Sequence, residues 1–404
     1  MTFQTIEGGV CAPQGFRASG VTAHIKKLES TKKDCALLVS DAPCALAGAF
    51  TTNRMKSAPV LWCEAARARG QARAFFINSG NANACTGERG MEDVRATAGA
   101  VAGGLDLAPE DVCIASTGVI GVHLPMDRIQ NGVRDCLAAL SPGGGHDAAL
   151  AIMTTDTVPK ERALEVDLGG TVARIGAIAK GSGMIAPNMA TMIAAITTDA
   201  AIAAPDLQAL LAECVAHSFN CICVDNDMST SDTVLCFANG QAGNAPLQPG
   251  TPAWNAFAAA LRQVCMDTAK ALVKDGEGAT KFVEIQVQGA DSEDAAKTVA
   301  RSIAHSQLCK TAFFGQDPNW GRIACAAGYA GVPFAAEHIS IWINDLAVVR
   351  DGLPTPFEEE EAAAHMRQPE FAIRVSIGSG PGKAVFWTSD LSHDYVSINA
   401  DYRT

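Results

Sequence analysis

The chain has 404 residues, 48% of them hydrophobic and only 18% charged, which places it among globular proteins and excludes an intrinsically disordered chain. A net charge of −12 with no clustered Lys and Arg argues against a nucleic-acid partner. The fourteen Cys, without a secretory leader at Met1–Glu7 or a Cys-x-x-Cys pair, fit reduced thiols in a cytoplasm, and the scattered His have no zinc-helix spacing, so no metal is expected.

Apolar runs of strand length recur along the chain. They predict strands at Cys35–Ser40, Ala72–Asn78, Val112–Ser116, Ala173–Lys180, Thr191–Thr197, Lys281–Gln288, Ile339–Asn344 and Phe371–Ile377. Between them, Ala-rich stretches predict helices at Met91–Gly103, Asp127–Leu140, Asp206–Ser218, Trp254–Val273 and Asp294–Ser306, with Asp206 and Asp294 as start signals. Two polar breaks, Ser141–His146 and Asn239–Thr251, read as a linker or as ordinary loops. The expected class is mixed α/β with layered packing. Every long apolar stretch is interrupted before it reaches membrane-spanning length.

One segment carries chemistry: Lys180-Gly-Ser-Gly-Met-Ile-Ala-Pro-Asn-Met-Ala190-Thr191-Met192-Ile193, running into an apolar strand. A flexible Gly-x-Gly and a Pro lead into a Thr at the head of a buried strand. Such a Thr can attack the carbonyl of Ala190, and hydrolysis of the ester leaves a new α-amine on Thr191. An α-amine titrates at about 7.7–8.0, so it can serve as the base for its own hydroxyl. An Ala-Thr dipeptide by itself is no more than a Thr opening a strand.

The whole set of motifs narrows the choice. Asn78-Ser79-Gly80-Asn81-Ala82-Asn83-Ala84, Ser116-Thr117-Gly118, Met189-Ala190-Thr191-Met192, Phe314–Arg322 and the terminal Ile398–Thr404 resemble, in order, motifs of the ornithine acetyltransferase family. The resemblance implies a four-layer αββα sandwich and chemistry of the N-terminal-nucleophile kind. It implies cleavage between Ala190 and Thr191 into an α chain (1–190) and a β chain (191–404) forming one intertwined unit, assembled as two α and two β chains. Thr191 would be the nucleophile, with Thr117 and Gly118 stabilising the oxyanion. Thr154, Lys180, Thr191, Glu277, Asn399 and Thr404 would contact the amino-acid substrates. Acetyl would pass from N-acetylornithine to glutamate in arginine biosynthesis without a cofactor, acetyl-CoA being a second donor in some members.

One stretch departs from the family pattern: Val224-Asp225-Asn226-Asp227-Met228 carries Asn226 where Gly is common and Met228 where a polar residue is common. Asn tolerates positive φ, so the turn is expected to survive. Asp225, Asp227 and Asp232 lack the Gly and Glu of a calcium loop and read as satisfied turn carboxylates. Within enzymes the rival reading is a related aminopeptidase or amidase passing the acyl group to water; outside them it is an amino-acid-binding protein.

Overall fold

The computed structural model describes residues 3–185 and 192–401. Ala190, Thr191 and Thr404 lie outside the described residues. Among those described, the strands form a nine-stranded and a seven-stranded sheet with helices packed on both, the mixed α/β class expected.

The first sheet runs in the order Phe3–Thr5, Lys160–Asp167, Val172–Lys180, Ile193–Thr198, Thr233–Ala238, Cys35–Phe50, Gln71–Asn81, Val112–Val119, with Phe16–Val21 alongside Cys35–Phe50. Ile193–Thr198 pairs antiparallel with Val172–Lys180, placing Ile193 opposite Lys180, and parallel with Thr233–Ala238. Both of these inner strands are buried at every position, because helices or loops cover both faces. That is why their sequences are continuous small and apolar runs. The second sheet differs even in an interior strand. In Phe282–Gly289, Val283, Ile285 and Val287 point inward, while Glu284, Gln286 and Gln288 alternate with them on the more exposed face.

The largest core joins the two sheets. Leu207, Leu210 and Leu211 of helix Ala204–Ala216 belong to it, as do Phe257, Leu261, Val264 and Leu272 of helix Pro252–Lys274 and Val299 and Ile303 of helix Glu293–His305. A second core lies under helices Ala58–Arg69 and Gly145–Ala151, and a third under Gly87–Leu105 and Met126–Ala139. No helix among the described residues is long and apolar enough to cross a membrane.

The predicted runs mark true elements with shifted ends. Cys35–Ser40 is the first part of a strand reaching Phe50, bulged between Val39 and Cys44. Helix Glu293–His305 is capped by Ser292, whose side chain accepts the Ala295 N–H, rather than opened by Asp294. Helix Ala204–Ala216 starts with Pro205 in its first turn and no side-chain cap. Neither polar break is a linker. Ser141 exchanges both backbone hydrogen bonds with Ala18, and helix Gly145–Ala151 begins inside the first break. In the second, Leu247 is buried and the Asn239 amide donates to the Gln14 carbonyl. All fourteen cysteines are free thiols; Cys221 and Cys223 are buried, Cys221 in a short turn and Cys223 in the strand Ile222–Cys223.

Candidate active site

The parallel strands Gln71–Asn81 and Val112–Val119 end side by side, and the Asn-rich motif stitches the corner that follows them. The Asn78 side chain accepts the Ser116 hydroxyl at 2.6 Å and donates to the Asn81 carbonyl at 2.9 Å. Asn81 donates to the carbonyls of Val122 and His123, and Asn83 to that of Gly90. These bonds leave Thr117 buried and put Gly118 at φ 130°, where a Cβ would stand 2.3 Å from the Gly80 carbonyl carbon. Only glycine permits that approach.

Lys180, the last residue of Val172–Lys180, is 2% exposed, and its Nζ donates to Thr117 Oγ1 at 3.3 Å. Burial lowers its ammonium pKa and Lys160 adds to the lowering, while Asp156, Glu277 and Asp232 oppose it. The Gly-x-Gly that follows is held rather than flexible. The Gly181 N–H donates to Asp156 at 2.7 Å, Ser182 and Thr155 share a hydroxyl hydrogen bond at 2.7 Å, and the Ser182 carbonyl accepts the Glu277 N–H at 2.8 Å. Gly183 lies so close to the Glu277 carboxyl that a Cβ there would meet it at 2.3 Å.

Glu277 accepts the Asn399 amide at 2.8 Å, and Asn399 sits on the final helix His393–Asp401. That helix is moored by Ser392, which donates to the Gly278 carbonyl, and by Asp390, which accepts the N–H groups of Thr280 and Lys281. A cavity is therefore lined by Thr117, Gly118, Thr154, Lys180, Glu277 and Asn399, six residues singled out from the sequence and drawn from both parts of the chain.

The described flanks of residues 186–191 are each fixed by an aspartate. Asp225 accepts the N–H groups of Met184 at 2.5 Å, Ile185 at 2.8 Å and Asp227 at 3.2 Å, and burial raises its pKa to about 6. Asn226 stands at φ 71°, so the turn does survive. Asp232 is not part of that turn. Fully buried, it accepts the Met192 N–H at 3.1 Å, and its other oxygen has no hydrogen-bond partner among the described residues. Burial drives its pKa upward, toward the neutral acid.

Sequence reasoning missed Asp156, Lys160, Asp275 and Tyr395, and it read Asp225 only as a turn carboxylate. Asp225 and Tyr395 line the cavity and the other three brace it from behind. Asp156 and Lys160 do leave one signal: their i, i+4 spacing directly after Thr154.

The cavity lining thus brings the Thr117 hydroxyl and Gly118 together with the buried Lys180 amine, with the carboxylates of Asp225, Asp227 and Glu277 in the same lining. Such a set can stabilise an oxyanion while holding a zwitterionic amino acid.

The profile of the ArgJ family matches residues 17–404. The arginine biosynthesis bifunctional protein ArgJ of Symbiobacterium thermophilum is 49% identical over 399 residues, covering 99% of each chain. The protein of the same name from Thermosynechococcus vestitus is 48% identical over 419 residues, covering 100% of this chain and 99% of its own. A crystal structure of arginine biosynthesis bifunctional protein argJ from Bacillus halodurans superposes with a TM-score of 0.50 at 43% identity, over 51% of this chain and 97% of that one. With a family profile spanning almost its whole length and near-half identity to full-length relatives, the chain belongs to the ArgJ family.

Proposed function

We propose that this chain is a self-cleaving glutamate N-acetyltransferase of arginine biosynthesis that moves acetyl from N-acetylornithine to glutamate. The observation that carries the reading is convergence. Thr117, Gly118, Lys180, Glu277 and Asn399 meet in one cavity, and Thr230 and Ser231, which lead into the carboxyl that holds the Met192 N–H, line it too. The relatives' shared name supplies the pathway and the word bifunctional.

In cleavage, Thr191 Oγ attacks the Ala190 carbonyl, the peptide shifts to an ester, and water releases the Ala190 carboxylate and the Thr191 α-amine. In transfer, that amine takes the Thr191 hydroxyl proton as Oγ attacks the acetyl carbonyl. Thr117 Oγ1–H and Gly118 N–H receive the oxyanion, a contribution of roughly 3–4 kcal/mol per donor when deleted. Lys180 holds the substrate carboxylate. Glu277, steadied by Asn399, holds the departing amine as ornithine leaves with its proton. Glutamate then attacks acetyl-Thr191 and regenerates the enzyme. Thr154 and Thr404 complete the substrate contacts.

The interleaved first sheet supports one unit after cleavage. Ile193–Thr198 and Thr233–Ala238, from the second piece, lie between Val172–Lys180 and Cys35–Phe50 of the first. The Bacillus halodurans chain, 97% covered by only 51% of this one, has the length a cleaved half would have. Assembly as two α and two β chains in the cytoplasm belongs to the same reading. So does the absence of a resident cofactor, with acetyl-CoA as a second donor.

The test is the denatured mass of the purified protein beside Thr191→Ala, followed by an assay of acetyl transfer to glutamate. Two fragments meeting between Ala190 and Thr191 in wild type alone, with acetylglutamate formed, are expected. A single uncut and active wild-type chain would remove the free amine from the mechanism, and acetate release without acetylglutamate would make the enzyme an amidase. No acetylglutamate from acetyl-CoA and glutamate would end the second-donor proposal.

A further inference from the structure

Three stretches that brace or line the cavity, at 154–157, 180–183 and 275–277, are distant in sequence, and one buried charge network joins them. Asp156 accepts the Thr154 N–H at 3.0 Å, the Gly181 N–H at 2.7 Å and Lys160 Nζ at 2.6 Å. Lys160 Nζ also reaches the Asp275 carboxylate at 2.6 Å, which in turn accepts the N–H and hydroxyl of Thr157. The side chains of Asp156, Lys160 and Asp275 are 0%, 2% and 6% exposed. Buried ion pairs are poor sources of stability compared with apolar packing, so a paired network in this place calls for another use.

Hydrogen-bond direction indicates the use. An ammonium only donates, so in the Lys180–Thr117 contact the Thr117 oxygen must accept. The Thr117 proton is then left for a different acceptor, and the cavity it lines is where an oxyanion would form. This holds only while Lys180 is charged, and its burial works against that. The titratable groups facing it are Asp156, Lys160, Glu277 and Asp232, with Asp156 the strongest in keeping its proton on.

We propose that Asp156, braced by Lys160, is a positioning residue that keeps Lys180 cationic so that Thr117 presents its hydroxyl proton to the oxyanion. The inference rests on the reading of Lys180 and Thr117 given above. It extends the machinery to two residues that touch no substrate.

The experiment is the pH profile of kcat/KM for acetyl transfer by the purified, cleaved enzyme, comparing wild type, Asp156→Asn, Lys160→Met and Lys180→Met. In Asp156→Asn the alkaline limb is expected to move acidward by about one pH unit, with rates above the limb falling roughly tenfold. In Lys160→Met, which removes a neighbouring positive charge, the limb is expected to move the opposite way. Should Asp156→Asn not yield folded enzyme, the Lys160→Met shift decides. Unmoved limbs in the variants that fold, with Lys180→Met impaired, overturn the inference and leave the acetyltransferase reading standing. A Lys180→Met enzyme with the wild-type rate would overturn the assigned role of Lys180 itself.

Discussion

Gly118→Ala sets a steric argument against a functional one at a single atom. The added Cβ would stand 2.3 Å from the Gly80 carbonyl carbon, 2.6 Å from the Asn81 nitrogen and 2.7 Å from the Gly80 Cα, all backbone atoms of the neighbouring parallel strand. No rotamer change relieves contacts of that kind, so one strand end must move. Gly121, three residues on, is the matched control. Its φ is also positive, at 79°, but nothing lies within 4 Å of its Cβ position. Gly121→Ala therefore costs only the backbone preference, about 1–2 kcal/mol. Gly118→Ala adds displacement of close-packed backbone, for a total of roughly 4 kcal/mol, near the upper limit for single substitutions. At roughly 2 °C per kcal/mol for a chain of this size, scanning calorimetry should show melting temperatures lowered by about 8 °C and 3 °C respectively. Because the Gly118 N–H is the proposed oxyanion donor, kcat should fall about 10²–10³-fold in Gly118→Ala. It should fall much less in Gly121→Ala. Equal melting temperatures for the two variants, with Gly118→Ala near the wild-type rate, would refute both the close approach and the role of this N–H.

Three other outcomes are expected. Burial beside Arg301 and Lys310 lowers the His305 pKa from 6.5 to about 4, and its Nε2 is buried without a hydrogen-bond partner among the described residues. The neutral ring is favoured by the fold, so stability present above pH 6.5 is lost as pH falls toward 4, by up to about 3 kcal/mol. Denaturant titrations across that range should show the loss in wild type and a shallower one in His305→Phe. Among the thiols, Cys85 and Cys325 are exposed, whereas burial pushes Cys44 and Cys136 up to about 12. Iodoacetamide at neutral pH should therefore mark Cys85 and Cys325 in the native protein while peptide mass mapping finds Cys44 and Cys136 unmodified. Asn399→Ala removes the donor that steadies Glu277, and kcat/KM should drop about tenfold, the equivalent of one charged hydrogen bond, with self-cleavage unchanged by intact mass.

What could be read from the chain divides by physical cause. Elements dense in Val, Ile and Ala, such as Phe282–Gly289 and Pro252–Lys274, declare themselves through local pattern. Phe16–Val21, Phe-Arg-Ala-Ser-Gly-Val, does not; it is a strand because Cys35–Ser40 offers it a complete antiparallel register. Gly380–Ser389 begins Gly-Pro-Gly-Lys, a turn signal, and is extended by pairing with Phe282–Gly289. Thr117, Gly118, Lys180, Glu277 and Asn399 came from motifs and do meet. Asp156 and Asp275 escaped because their importance lies in Lys160, which joins residues more than a hundred positions apart. No local pattern encodes such a bond.

The interleaving of the first sheet changes what unfolding means once the backbone is cut. Lys180 and Ile193 face each other in register, so the proposed cleavage falls in the connection between neighbouring strands and leaves their pairing in place. Before the cut, refolding is a unimolecular search. After it, two polypeptides must find each other, the second supplying the middle strands of the sheet and the first the strands on both sides of them. Recovery then depends on concentration, and unfolding at high dilution becomes effectively one-way. Maturation would turn a reversible fold into one that persists by its barrier to dissociation.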